Sequence, residues 1–279
     1  MISSKQLKMA TRKLSNAIGL HLIKSRNSRW QYELYNIAER PIAPCFVNLG
    51  AGTFYHPFWH NVDMPNTFYK HQQDKIHLSH DFSSLDKFPF ETESVEIFYT
   101  SHVIEHLTDE AVVNMFKEAY RSLSKGGIIR ITCPDMQLQY EAYSGNDPHF
   151  WTNLSPWGRH NHELAHRFVE NFASCLCNKE RFPNIFLSKE EIDICLKSMP
   201  MNEFFDSIIS KIPARMNSDY PEGHINWFTM EKLIYLLRSA GFNSIFRSGY
   251  LQSRKASMRE PRLFDGTCPE LSLYIEAIK

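Results

Sequence analysis

The stretch that decides the fold is Cys45-Phe46-Val47-Asn48-Leu49-Gly50-Ala51-Gly52, a short apolar run that ends in a glycine turn. The run predicts a buried strand, and glycine lets the backbone approach a ligand without obstruction by a Cβ atom. The amide groups that are exposed after such a strand favour a polar or anionic group. By itself, this turn indicates a nucleotide site without saying which nucleotide it binds.

Two acidic residues follow the next two predicted strands. Residues 60–62 form the second strand, which ends at Asp63, and residues 76–78 form the third, which ends near Asp81. The first carboxylate suits ribose hydroxyls and the second an adenine amino group, so three strand ends converge on one nucleoside. Asp63 comes only eleven residues after Gly52, too soon for the long helix of a standard dinucleotide fold. The alternative is a tight turn with two solvated loop carboxylates.

The rest of the chain alternates apolar runs with helix patterns, which is typical of a parallel sheet covered by helices. We therefore predict an α/β fold with a Rossmann-like, seven-stranded, mostly parallel sheet and a reversed last strand. Residues 1–40 are predicted as an N-terminal basic amphipathic helix and 41–279 as the main domain, in which 136–223 form a mainly helical insertion. The remaining predicted elements are strands at 95–99, 127–133, 242–250 and 271–278, and helices at 109–124 and 231–240.

Composition and charge exclude several classes of protein. The chain has 279 residues with 31 basic and 31 acidic side chains, so no net field directs it toward nucleic acid. Residues 1–32 carry seven basic and no acidic side chains. They predict a helix packed on the domain, with peripheral membrane contact or a mitochondrial transit peptide as alternatives. No apolar run can span a bilayer, and six scattered cysteines indicate free thiols, so we expect a cytoplasmic protein.

The order of the motifs resembles that of class I methyltransferases of the methyltransferase-11 type. Within that family, the chain is most similar to a predicted bacterial group that is often linked to surface-polysaccharide synthesis. The resemblance is good over about 46–135 and moderate over 223–279. The motifs that carry it are Val47-Asn48-Leu49-Gly50-Ala51-Gly52, Asn61-Val62-Asp63, Asp81, Phe88-Pro89-Phe90, Ser101-His102-Val103-Ile104-Glu105-His106-Leu107, Lys125-Gly126-Gly127, Arg130 to Asp135, Gly223-His224 and Ala240-Gly241-Phe242.

This resemblance implies S-adenosylmethionine as the cofactor and methyl transfer to a small-molecule or glycan acceptor. Residues carried over to cofactor binding are Asn48, Gly50, Ala51 and Gly52 beside the methionine and ribose, Asp63 on the ribose, Asp81 and Phe82 at the adenine, and Ser101 near the sulfonium. Two positions depart from the family pattern. Asn48 replaces the acidic residue that is usual at the start of the glycine motif, and Phe54 occupies the position of the third glycine. Cofactor binding is therefore a firmer expectation than catalysis, and a non-catalytic nucleoside-binding scaffold is the alternative.

A methyl acceptor with a hydroxyl group needs a way to lose its proton. Histidine suits this role near neutral pH, which places His102, His106 and His224 first, with Asp135 as a further base or orienting group. The alternative for each is a structural role at a helix cap or loop. Family association and these bases together favour methylation at oxygen.

Two strings in the sequence resemble zinc motifs. Residues 102–106 read His-x-x-Glu-His, and His162-Glu163-Leu164-Ala165-His166 reads His-Glu-x-x-His. The first already belongs to the methyltransferase pattern, and the second lacks a further ligand at a characteristic spacing, although His160 lies nearby. We therefore predict no metal site. A zinc hydrolase that uses His162, Glu163 and His166 is kept as a third hypothesis.

Overall fold

The structure is a computed structural model that describes residues 45–52, 54–64, 74–151, 163–214, 216 and 220–279. The predicted N-terminal helix at 1–40, and with it the predicted membrane contact, lies outside the described residues, as do His160 and His162. Among the described helices, none is both long and apolar enough to cross a membrane.

The described residues contain a seven-stranded sheet in the order β3-β2-β1-β4-β5-β7-β6. Strands β1 to β5 pair in parallel, and β7 lies antiparallel between β5 and β6. This arrangement confirms the predicted α/β class and the reversed last strand. The strands are β1 Phe46–Leu49, β2 Trp59–Asp63, β3 Leu78–Ser79, β4 Val95–Ser101, β5 Leu123–Pro134, β6 Ser244–Arg247 and β7 Ser272–Ile278.

Two amphipathic helices cover one face of the sheet. Thr108 caps α1 (Asp109–Ser122) by accepting a hydrogen bond from the Ala111 amide, and Thr229 caps α6 (Met230–Ser239) by accepting one from Lys232. Their apolar stripes join the inward side chains of the central strands in one core. The other helices are α2 Met136–Ser144, α3 Leu164–Val169, α4 Lys189–Ser198 and α5 Met201–Ile209.

Several element bounds differ from the sequence prediction. The first helix ends at Ser122 rather than 124, because Leu123 already pairs with Val95 of β4. Strand β5 therefore begins at Leu123, four residues earlier than expected. Strand β3 lies at 78–79 rather than 76–78, since its pairing with β2 begins only at Val62. Local hydrophobic pattern does not encode these pairings, which depend on the neighbouring strand.

The opposite face of the sheet buries a charged group. Arg130 of β5 is fully buried and lies 2.6 Å from Asp265 and 3.0 Å from Glu276. Its guanidinium also donates to the Ser248 hydroxyl and the Gly249 carbonyl. Each charge is thus both paired and hydrogen-bonded, which is the condition for burying it. The network fastens the loop between β6 and β7 to the sheet.

The predicted insertion has an apolar core of its own. Residues 136–223 contain helices α2 to α5, and aromatic rings pack at its centre. Phe168 is fully buried, with its ring stacked on Tyr143 at 4.9 Å and on Phe204 at 5.8 Å. Aromatic side chains of this segment therefore belong to a core. In sequence, the chain leaves the sheet before this segment and returns to it afterwards.

Candidate active site

The glycine turn after β1 adopts a conformation that suits glycine. Gly50 has φ +90° and Gly52 has φ +48°, both in the left-handed region that L side chains rarely adopt. A Cβ atom on Gly50 would overlap the Cγ2 atom of Val103. The Gly50 amide donates to the Val62 carbonyl at 2.9 Å, which fixes the turn to β2. The turn is therefore a tight floor that closes against the segment after β4.

Asn48 stands where the resemblance to methyltransferases predicts an acid, and its amide group braces the turn. Its Nδ2 atom donates to the Gly50 carbonyl at 2.9 Å and to Asn61 Oδ1 at 3.0 Å. Asn61 in turn donates to the carbonyls of Phe54 and Lys75. A carboxylate at position 48 has no N–H group to donate to either oxygen. The departure from the family pattern thus comes with its own hydrogen-bonding partner on β2.

Asp63 lies at the end of β2, where the sequence predicts it. One carboxylate oxygen accepts from the Ala51 amide at 2.7 Å and the other from the Met64 amide at 2.8 Å. Burial raises the pKa of Asp63, and these two amides act in the opposite direction. Each oxygen keeps a lone pair that can accept a hydrogen bond from a ligand hydroxyl. Asp63 is therefore held in place by the same turn that forms the floor.

A cavity of about 270 Å³ opens above the ends of β1, β2 and β4. It brings together predicted cofactor residues from four separate segments. Asp81 lies at its edge with Oδ1 accepting from the backbone and the hydroxyl of Ser83, and Phe82 is buried beside it. The predicted site residues that line the cavity are Gly50, Gly52, Asp63, Asp81, Phe82, Ser101, His102 and His106.

His102 follows β4 with φ +54°, a strained conformation for a residue with a side chain. Its Nε2 atom lies 2.8 Å from the Ser272 hydroxyl, whose own hydrogen is directed at backbone carbonyls. Its Nδ1 atom lies 3.0 Å from the Glu105 carboxylate. Both ring nitrogens thus face acceptors. The ring of His102 is therefore held from both sides, by Ser272 and by Glu105.

His106 and His224 meet beside the cavity, although 118 positions separate them in the chain. Their ring centroids lie 4.8 Å apart. The segment after the insertion is tied to the turn after β4, since the amides of Ile225 and Asn226 donate to the Glu105 carbonyl at 2.8 and 3.2 Å. Burial lowers the pKa of His224 to about 3, and the neighbouring His106 adds to the effect. His224 is therefore a neutral imidazole at physiological pH.

Glu105 is the residue of this group that the sequence prediction did not place in the chemistry. It is fully buried, and burial, the largest single influence, acts to raise its pKa, but His102, His106 and His224 together lower that pKa to about 2. One carboxylate beneath three imidazoles is an arrangement that handles protons or cations. The available signal was its place between two histidines in residues 102–106.

Asp135, the remaining catalytic candidate, has structural partners. It caps α2 by accepting from the Leu138 amide at 3.2 Å and pairs with Arg247, also at 3.2 Å. Burial raises its pKa, and the Leu138 amide and Arg247 act against that rise. Asp135 does not belong to the described residues that line the cavity. These contacts favour the helix-capping interpretation over a role in proton transfer.

The second zinc-like string is only partly described. His166 lies on α3 with its Nε2 atom 2.9 Å from the Leu187 carbonyl, and its ring packs on Phe186. Glu163 lies before the helix with its side chain 60% exposed, 4.0 Å from His166. The described part of this string thus packs a histidine into the insertion. Position 162 lies outside the described residues.

A second cavity, of about 390 Å³, lies on the other side of the glycine turn. It shares Gly50, Gly52 and Ser101 with the first and adds Asn48 and Ala51 from the predicted cofactor set. Its outer wall comes from the loop that the Arg130 network fastens, and includes Arg262. Two cavities of different polarity therefore meet over the turn and the end of β4.

Comparison with known proteins gives one family match. The model of the methyltransferase domain, methyltransferase-11, matches residues 58–131. No curated protein matches the chain. The chain is similar to solved S-adenosylmethionine-dependent methyltransferases from Thermotoga maritima (14% identity, TM-score 0.38, 89% of this chain and 87% of that one), Mesorhizobium loti (13%, 0.41, 85% and 94%) and Archaeoglobus fulgidus (13%, 0.39, 84% and 86%).

The family match at residues 58–131 and the strand order of the sheet together support a methyltransferase domain. The match indicates S-adenosylmethionine as the cofactor. The link to surface-polysaccharide synthesis and the cytoplasmic location stay predictions.

Proposed function

We propose that this protein transfers a methyl group from S-adenosylmethionine to a hydroxyl oxygen of a small-molecule or glycan acceptor. The observation that carries the proposal is the convergence of the glycine turn, Asp63, Asp81 and Ser101 on one cavity, beside a cluster of imidazoles. A site that only stored the cofactor would have no need for that cluster beside the cavity.

The cofactor fits this cavity in one direction. Asp63 is positioned to accept from the ribose hydroxyls and Asp81 to accept from the adenine amino group, with Phe82 against the ring. The methionine part then passes over Gly52 and Ser101 toward the second cavity, where the guanidinium of Arg262 suits its carboxylate. This direction puts the sulfonium at the junction of the two cavities, near the end of β4.

The reaction is an in-line displacement at the methyl carbon. The acceptor oxygen forms the new C–O bond while the C–S bond breaks, the bonding pair moves to sulfur, and S-adenosylhomocysteine leaves. The protein contributes alignment and a route for the acceptor proton. We assign that route to His106 and the residues beside it, because His106 borders the cavity. Both ring nitrogens of His102 already have close oxygen partners, and Asp135 caps a helix.

Calorimetry with S-adenosylmethionine and S-adenosylhomocysteine tests the cofactor half of the proposal. We expect dissociation constants in about the micromolar range, typical of affinities near 8 kcal/mol. Well-folded protein that binds neither compound would contradict the proposal. Turnover is then followed as release of S-adenosylhomocysteine with a panel of glycans and small molecules, in which each hydroxyl compound is paired with its amino analogue. Methylation of the amines alone would overturn the oxygen assignment, and binding without any turnover would favour the scaffold alternative.

A further inference from the structure

Three residues beside the cavity form a group with the composition of a metal site. Glu105, His106 and His224, here called the His–Glu cluster, each offer one ligand atom, and these atoms lie within 4.8 Å of one another. Among the described residues, no other three His, Cys, Asp or Glu side chains bring their ligand atoms this close together. Two imidazoles and one carboxylate are the protein ligands of many catalytic zinc sites.

Both histidines of the His–Glu cluster are fixed in a metal-ready tautomer. The Nδ1 atom of His106 lies 3.0 Å from the Gly223 carbonyl, which can only accept, so Nδ1 carries the proton and Nε2 keeps its lone pair. His224 has a hydrogen bond to the backbone of Asn171, while no described group hydrogen-bonds its buried Nδ1 atom. Metal-binding histidines characteristically donate the second ring nitrogen to a carbonyl in this way.

Glu105 completes the group with buried negative charge. Its residue is 0% exposed, and no described group makes a well-directed hydrogen bond to either carboxylate oxygen. His102 approaches one oxygen at 3.0 Å and leaves the other without a partner among the described residues. A buried carboxylate oxygen and imidazole lone pairs that meet at one place are unfavourable unless a cation lies between them.

We propose that the His–Glu cluster binds a divalent transition-metal ion through the Glu105 carboxylate, His106 Nε2 and His224 Nδ1. Ligand atoms in a tetrahedral site with bonds of about 2.1 Å lie about 3.4 Å apart, so the three ligand atoms need to approach one another by at most about 1.4 Å. Because His106 borders the cofactor cavity, we expect the fourth position to face that cavity. Three protein ligands and one open position are the pattern of a catalytic rather than a structural site.

An ion at this place gives the proposed reaction its proton route, and this step rests on the proposed function. The hydroxyl of the acceptor binds at the open position, and coordination lowers the pKa of that hydroxyl. Its proton passes to solvent, and the bound alkoxide oxygen forms the bond to the methyl carbon as S-adenosylhomocysteine leaves. The His106 ring is then a ligand of the ion, and His102, 3.0 Å from the Glu105 carboxylate, orients that carboxylate.

The test measures metal binding directly, on full-length protein prepared without a histidine tag and stripped with a chelator. We titrate it with Co²⁺, Zn²⁺ and Mn²⁺, follow the visible absorption of Co²⁺ and determine bound metal by elemental analysis. We expect about one equivalent of at least one of these ions, with visible Co²⁺ bands of a site that has fewer than six ligands. Glu105→Gln and His224→Asn should each lower metal affinity at least about a hundredfold.

His166→Asn is the matched control, because it removes a buried histidine from the other zinc-like string. It should keep the full metal content. Circular dichroism and binding of S-adenosylhomocysteine show whether each variant is folded, and they separate this inference from the proposed function. Wild-type protein that binds S-adenosylhomocysteine but holds none of the three ions overturns the metal site. Metal content that falls in His166→Asn and stays in His224→Asn overturns it as well, and assigns the ion to the other string.

Discussion

The two sides of the cofactor cavity are built in different ways. The nucleoside side comes from one stretch of chain, residues 48–101, and its polar side chains are engaged by nearby backbone groups. The acceptor side joins 101–107 to 223–226 across the whole insertion, and leaves Glu105 and His224 with buried atoms that no described group hydrogen-bonds. A preformed side favours binding, whereas a side with unsatisfied polar groups awaits a ligand. Four variants test this contrast.

The largest expected effect is on stability and concerns the core of the insertion. Along the chain, this insertion lies between the two parts of the acceptor side. Phe168→Ala removes a fully buried ring and should lower the free energy of unfolding by about 3–5 kcal/mol, measured by urea denaturation. If the nucleoside side is independent of the insertion, the folded variant still binds S-adenosylhomocysteine within about threefold of wild type. A loss of affinity as large as the loss of stability would break the contrast.

Gly50→Ala should abolish cofactor binding while the protein stays folded. The added Cβ atom overlaps Val103 and sits at φ +90°, so the turn must open where the cofactor lies. We expect affinity for S-adenosylhomocysteine, measured by calorimetry, to fall at least about a hundredfold, which is near 2.7 kcal/mol. Gly126→Ala is the control, because Gly126 also has positive φ but no described atom lies within 4 Å of its Cβ position. Equal losses in both variants would assign the effect to backbone strain alone.

Asn48→Asp restores the acid of the family pattern and should weaken the site. The carboxylate would face the Gly50 carbonyl and Asn61 Oδ1 without a hydrogen to donate. We expect affinity for S-adenosylhomocysteine to fall about tenfold, since an unsatisfied buried group costs about 1–3 kcal/mol. Asn243→Asp controls for the exchange itself, as that exposed amide also donates to a glycine carbonyl. Tighter binding by Asn48→Asp would show that Asn48 impairs the turn rather than braces it.

The smallest effect is a pH dependence on the nucleoside side. Burial lowers the pKa of His56 from 6.5 to about 4, and its Nδ1 atom accepts the Phe58 amide at 3.1 Å. The neutral ring therefore stabilises the fold fully above pH 6.5, and this contribution is lost as the pH falls toward 4. Between pH 7.5 and 4.5, wild type should lose about 1–2 kcal/mol more unfolding free energy than His56→Asn. Parallel pH curves for the two proteins would contradict this.

Prediction from sequence succeeded where one short segment contains the whole signal. The glycine turn, Asp63 and Asp81 each follow a strand whose apolar pattern is readable in isolation, and parallel strands bring their ends to one edge. Helix α1 was predictable for the same reason, with Thr108 as its cap. The predicted bounds of elements were wrong where strand pairing decides them, as at Leu123. A strand extends as far as its neighbouring strand allows it to pair.

What the sequence by itself determined was the α/β class, the order of the strands along the chain, and the strand ends at which the glycine turn, Asp63 and Asp81 lie. Only the tertiary structure decided which histidines meet. His102 contacts Ser272 and Glu105, whereas His106 contacts the Gly223 carbonyl and lies beside His224. The physical reason is that strand and helix periods are local, whereas contacts across more than a hundred residues depend on how the insertion packs and returns the chain to the sheet.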